Sequence, residues 1–172
     1  MTTNHPTSTF TLESVSWDDP RAVELRRQMD AEMTVRYANP GAPAEPAEIT
    51  ARRTASLAVD PADVRATVLV LDDDDGTPIG HAALRDLRGD WEVKRVIVAE
   101  STRGRGVGRA LMARLEEIAR SAGVGRLILQ TGNRQPDAVA LYEKIGYTPI
   151  PIYEPYIETI PFSLCYEKSI AA

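Results

Sequence analysis

The chain is poor in the residues that staple folds or hold metals: its 172 residues include one cysteine and two histidines. Cys165 cannot close an internal disulfide, and with two histidines it cannot complete a conventional zinc site. No metal is expected. Long apolar runs are missing too, since none approaches the roughly 20 residues needed to cross a bilayer. Residues 1–9 are polar, rich in threonine, and lack the basic and apolar regions of a secretory signal. They read as a flexible N-terminus ahead of one domain over residues 10–172, in a protein that is cytoplasmic and has no membrane partner. Positive charge is in deficit, with 20 Lys and Arg against 25 Asp and Glu and a net charge of −5. An extended nucleic-acid surface needs basic patches, so nucleic acid is not expected as a partner. A chain of this length buries about 70% of its unfolded surface and needs no staple to fold.

What the chain does have is concentrated between Trp91 and Gly123. Trp91-Glu92-Val93-Lys94-Arg95-Val96-Ile97-Val98 reads as a strand from its β-branched residues. Leu111, Leu115, Ile118, Ala119 and Ala122 then follow the spacing of one helical face. Between the two lie Gly104, Gly106 and Gly108 at every second position, flanked by Arg103, Arg105 and Arg109. Strand, glycine-rich turn and helix start together form an arrangement that binds phosphate through unpaired backbone N–H groups and the helix dipole. A nucleoside-triphosphate loop would need Lys-Ser/Thr after the last glycine, where this chain has Arg109-Ala110. A dinucleotide fingerprint would need a third glycine where Arg109 stands. A glycine-rich helix start that binds nothing fits the loop as well.

Arg103, Gly106 and Gly108 make the pattern Arg-x-x-Gly-x-Gly, which resembles the coenzyme A pyrophosphate loop of the GNAT superfamily of acyl-CoA-dependent N-acyltransferases. A second block, Gln135-Pro136-Asp137-Ala138-Val139-Ala140-Leu141-Tyr142 followed by Gly146-Tyr147, is similar to that family's later motif. Pro136 suits a first helical position and Gly146 the left-handed residue that ends a helix. Ala138, Leu141, Tyr142 and Ile145 share one helical face, which puts Tyr142 at the edge of a buried stripe, where packing alone would also account for it.

The resemblance implies an α+β fold, a mixed and mostly antiparallel central sheet flanked by helices, whose fourth and fifth strands splay apart around the pantetheine arm. It implies acetyl-CoA as cosubstrate, with the backbone of Val96, Ile97 and Val98 along pantetheine. Gly104, Gly106, Val107 and Gly108, with Arg103, Arg105, Arg109 and Gln135, would surround the pyrophosphate end. The activity implied is acetyl transfer to a primary amine of a small-molecule or peptide acceptor by direct attack in a ternary complex. A non-catalytic acyl-CoA sensor is the alternative. Tyr142 matches the family's general acid. Glu92, eleven residues before Arg103, matches the glutamate some members use as general base, and is equally placed to be a structural partner of Lys94 or Arg95. Carboxylates and tyrosines in the first helices and before the last strand, among them Asp30, Glu32, Glu45, Tyr153, Tyr156 and Glu158, would suit a cationic amine. Relatives dimerise, which leaves a homodimer open.

Elsewhere, Phe10–Val15, 66–71 and 79–84 read as strands, and Asp18-Asp19-Pro20 starts a helix burying Ala22, Leu25, Met29 and Met33. A shorter helix follows over 47–57. The segment 72–78 is a solvated acidic turn. His81 is a packed or hydrogen-bonded strand histidine. Residues 126–131 form a fifth strand, 147–150 an aromatic and proline-rich loop, and 162–167 the last strand.

Overall fold

Alternation along three long strands decides the layering. In a computed structural model describing residues 9–171, β2 (Val64–Asp72), β3 (Pro78–Leu87) and β4 (Asp90–Val98) form an antiparallel meander. Val68, Val70, Ala82, Leu84 and Val93 join one core, while Leu69 turns to a smaller one with Ala22 and Leu25. Successive strand side chains point to opposite faces, so each face needs its own cover. The larger core is covered by α3 (Val107–Ser121), with α4 (Pro136–Lys144) beside it; the other face is covered by α1 (Pro20–Arg36).

The remaining elements are β1 (Phe10–Val15), α2 (Ala47–Leu57), β5 (Arg126–Thr131), β6 (Thr148–Ile150), α5 (Tyr156–Thr159) and β7 (Leu164–Ser169). All seven strands belong to one sheet in the order β1-β2-β3-β4-β5-β7-β6, and every neighbouring pair is antiparallel except β4 and β5. This is the mixed, mostly antiparallel α+β architecture expected from sequence.

Local signals account for the helix ends. Asp19 caps α1 by accepting from the Arg21 N–H at 2.9 Å, with Pro20 at the first helical position. At the end of α4, Gly146 takes φ +97°, Tyr147 N–H bonds Tyr142 O at 2.9 Å and Gly146 N–H bonds Glu143 O at 3.2 Å. That pair of bonds is a Schellman cap.

Four expectations need correction. Residues 148–150 are a strand, because Thr148, Pro149 and Ile150 pair with β7 at the sheet edge, where a proline is tolerated. The last strand starts at Leu164, since Ser163 N–H instead closes a turn on Ile160 O. On α3, Met112 and Glu116 are buried while Ala122 is exposed; Glu116 is held by Lys168 Nζ at 2.9 Å. Met29 and Met33 are only half-buried, because they line the groove described below. The tail expected over residues 1–9 lies, apart from Thr9, outside the described residues.

Candidate active site

The parallel pairing of β4 with β5 covers only Trp91 to Val93, opposite Leu127 to Leu129. Beyond Val93 the two strands part. A groove of about 530 Å³ opens there, lined by Val96, Ile97 and Val98 on β4, Arg103 to Arg109 without Arg105 on the glycine loop and α3, and Gln135, Ala138, Leu141 and Tyr142 at and on α4. Met29, Glu32, Met33 and Arg36 of α1 close the remaining side.

β4 is irregular where it meets this groove. His81 pairs with Ile97 but Ala83 pairs with Lys94, so β4 carries one residue more than β3 between these pairs. That is a β-bulge, and Arg95 within it has φ +56°. For a residue with a side chain this conformation costs about 1–2 kcal/mol. Two contacts hold it: His81 Nδ1 lies 2.7 Å from the Arg95 carbonyl oxygen, and the Arg95 guanidinium pairs with Asp30 of α1.

The glycine loop presents donors without acceptors. Gly106, at φ +84°, is the N-cap residue of α3 and supplies no side chain to its first turn. Among the described residues, the N–H groups of Gly104, Gly106, Val107, Gly108 and Arg109 take no acceptor. Gly108 lets α4 pack close, since a Cβ there would stand 2.9 Å from Leu141 Cδ2 and that side chain would have to shift. Five amides without acceptors at a helix start, with Arg103 and Arg109 beside them, suit the two phosphates of a pyrophosphate. Arg103 already holds one anionic group, the Glu32 carboxylate at 3.2 Å, which it shares with Arg36 at 2.7 Å. Arg105 is the exception to the expected set. It points to Asp72 at 2.9 Å instead, and the Asp74 N–H and then this guanidinium hold the Asp72 carboxyl below its usual range.

Tyr142 faces the groove from α4, packed at 6.1 Å and 6.4 Å between the rings of Tyr147 and Tyr166. Its hydroxyl makes no hydrogen bond among the described residues. Burial pushes its pKa up, so at neutral pH it is a proton donor and not a base.

Glu92 is placed differently. It lies on the face opposite α3, it does not line the groove, and none of it reaches solvent. Its Oε1 accepts from Arg85 Nε at 2.8 Å, and its Oε2 from Tyr153 at 2.6 Å and Tyr156 at 3.0 Å. Tyr156 in turn accepts from Arg85 Nη2 and from Lys94 Nζ, each at 3.0 Å. Burial lowers the Lys94 ammonium to about 8, against the opposing pull of Glu92. Burial first, and then the Glu92 charge, raise both tyrosines. Of the five residues only Tyr153 is half-buried; the other four are buried, Glu92 and Tyr156 completely. The partners come from β3, β4, α5 and the segment before α5. Lys94, named from sequence as a structural partner of Glu92, lies 3.9 Å from its Oε1, and Arg95 pairs with Asp30 instead. No spacing announced Arg85, Tyr153 or Tyr156 as partners.

The carboxylates expected to form an acidic pocket are spent on arginines: Asp30 on Arg95, Glu32 on Arg36 and Arg103, Glu45 on Arg53, and Glu158 on Arg52. Among the described residues, no group of three or more His, Cys, Asp or Glu side chains is placed to hold a metal, and no helix is long and apolar enough to cross a membrane.

Comparison with known proteins agrees with this geometry. The family model for the GNAT acetyltransferases matches residues 26–147. The IAA acetyltransferase of Azospirillum brasilense is 40% identical over 97 residues, 55% of this chain and 63% of that protein. The mycothiol acetyltransferase of Beutenbergia cavernae is 35% identical over 89 residues, 51% of this chain and 30% of that protein. These matches thus span less than two thirds of either relative. Among solved structures, a Klebsiella pneumoniae protein assigned as an acyl-CoA N-acyltransferase has TM-score 0.73 and 26% identity, covering 94% of this chain and 98% of its own. The ribosomal-protein-S18-alanine N-acetyltransferase of Escherichia coli, at TM-score 0.62 and 20% identity over 95% of this chain and 96% of its own, shares the fold. With the splayed strands, the glycine loop and a family match over most of its length, the chain belongs to the GNAT acetyltransferase family.

Proposed function

We propose that this protein transfers an acetyl group from acetyl-CoA to a primary amine by direct attack in a ternary complex. The observation that carries the reading is the donor set of the glycine loop, five amides without acceptors among the described residues, at the mouth of a groove that ends against Tyr142. In this reading the loop and Arg109 take the pyrophosphate, and Arg103 exchanges Glu32 for it. The bulged edge of β4 runs along pantetheine.

Three demands then fall on the chain. The acceptor must lose a proton, since an alkylammonium with a pKa near ~10.4 has no lone pair to attack with. Glu92 is the proton sink, and it works through Tyr153, the half-buried member of its network. As the ammonium gives a proton to Tyr153 Oη, Tyr153 passes its own to Glu92 Oε2, leaving a neutral amine and a neutral carboxyl. The developing oxyanion must meet a fixed donor, for which the bulge supplies a backbone N–H. The departing thiolate must be protonated, and Tyr142 does this.

Release of free thiol from acetyl-CoA, followed across a panel of small amines and peptides, tests the reading. Amine-dependent release supports it. Tight acetyl-CoA binding with no release for any amine would favour the alternative, a non-catalytic acyl-CoA sensor.

A further inference from the structure

The proposed reaction gives no role to His81, yet this side chain is completely buried beside the bulge. Its Nε2 lies 3.0 Å from Arg26 Nη1, and its Nδ1 lies 2.7 Å from the Arg95 carbonyl oxygen. A guanidinium nitrogen can only donate, so Nε2 is the acceptor and the ring proton sits on Nδ1. The Nδ1–H therefore donates to Arg95 O. Arg26 is itself fixed, donating to Trp17 O at 2.6 Å and stacking 3.6 Å from the centre of the Trp17 ring. The imidazole is thus locked as one neutral tautomer in one orientation.

The carbonyl it holds belongs to the peptide unit that joins Arg95 to Val96. In a trans peptide the C=O and the following N–H share a plane and point in opposite directions. Drawing the Arg95 carbonyl onto a residue of β3 turns the Val96 N–H away from β3. On that side of β4 lies the gap to β5, and Val96 lines the groove there. We infer that His81 is a positioning residue for acetyl transfer: by holding the Arg95 carbonyl, it aims the Val96 N–H at the thioester carbonyl. The inference rests on the acetyl-transfer reading of the groove, and what it adds is the group that orients the backbone donor.

Two substitutions separate the Nδ1 bond from packing. The side-chain nitrogen of Asn stands near the place of Nδ1, so His81→Asn keeps a donor for the Arg95 carbonyl. The Gln amide reaches the place of Nε2, so His81→Gln keeps the contact with Arg26 and leaves that carbonyl without its donor. Removing an oxyanion donor outright costs about 10²–10³ in kcat, and misdirecting one should cost at least about 10-fold. The expected result is a kcat reduced about 10-fold or more in His81→Gln and within about 3-fold of wild type in His81→Asn. The affinity for CoA lacking the acetyl group should be unchanged in both, which also reports that each variant is folded.

A readout that needs no acceptor is the ¹³C resonance of the carbonyl in bound, labelled acetyl-CoA. It should move toward its free position in His81→Gln and stay put in His81→Asn. Equal kcat and equal carbonyl resonance in the two variants would overturn the inference while leaving acetyl transfer standing. Should His81 variants not fold, Arg26→Met removes one of the two contacts that orient the ring without opening the core, and it should move kcat and the resonance in the same direction as His81→Gln, by less; wild-type values for both would overturn the inference. A wild-type protein that does not bind acetyl-CoA at all would overturn the reading beneath it as well.

Discussion

The burial of His81 predicts a loss of stability in mild acid that can be worked out in size. An imidazole ordinarily titrates near 6.5, whereas burial brings His81 down to about 4, with Arg26 from α1 and Arg95 from β4 adding repulsion and the Arg95 carbonyl opposing. A lowered value means that between these two pH values the unfolded chain binds a proton that the native protein refuses. The stability contributed by neutral His81 is therefore complete above about pH 6.5 and is lost as pH falls through that window toward 4. By linkage the loss is about 1.4 kcal/mol at pH 5.5 and about 3 kcal/mol at pH 4. His81→Asn does not titrate there. Urea unfolding of both proteins at pH 7.5 and 5.5 gives a difference in which the carboxylates they share, such as Asp19 and Asp72, cancel. The wild-type advantage over the variant should shrink by about 1.4 kcal/mol on going to pH 5.5. An advantage of the same size at both pH values would refute the reasoning, since it would mean that the native His81 takes up its proton as readily as the unfolded chain does.

Two further outcomes bear on the proton route. Tyr142→Phe should lower kcat by about 10²–10⁴, the usual contribution of a general acid, while melting temperature and acetyl-CoA affinity stay at wild-type values because the lost hydroxyl has no hydrogen-bond partner among the described residues; a wild-type rate of thiol release would remove Tyr142 from the chemistry. Tyr153→Phe breaks a hydrogen bond to a carboxylate, worth about 1.5–3 kcal/mol in urea unfolding, and should also cut kcat at neutral pH, with the rate recovering as pH rises toward the pKa of the free amine. A variant that loses stability but keeps the wild-type pH–rate profile would show Tyr153 to be structural only.

The features that were legible in the sequence are those decided within a few residues. Pro20 after Asp19 starts a helix, Gly146 ends one, and three glycines at every second position cannot be ordinary helix or strand. Each acts through its own φ or through a bond to a neighbour on the chain, so spacing alone reveals it. The groove followed from these local units, because a family-like order of motifs places them around one sheet gap. Of the surroundings of Glu92, only Lys94, two residues along the same strand, was legible. The partners Tyr153 and Tyr156 lie 61 and 64 residues from Glu92, and only the fold brings them to it. The same holds for Arg105, whose place in a basic run suggested phosphate but whose partner Asp72 stands 33 residues earlier at the end of β2. The bulge was hidden for a different reason. Left-handed backbone is normally announced by glycine or asparagine, and here it falls on Arg95, held by contacts from β3 and α1. The strand over 148–150 was masked by Pro149, which a central strand would exclude and an edge strand accepts.

Everything proposed for this groove depends on its taking acetyl-CoA. The most direct test is the melting temperature of the purified protein with and without acetyl-CoA, with ATP and NAD as controls. At about 100 times its dissociation constant, a ligand that binds only the native state adds about 2.7 kcal/mol. For a chain of this length that is a rise of roughly 5–10 °C. A rise of this size with acetyl-CoA, and none with ATP or NAD, is the expected result. No rise at millimolar acetyl-CoA, or an equal rise with all three, would contradict the account.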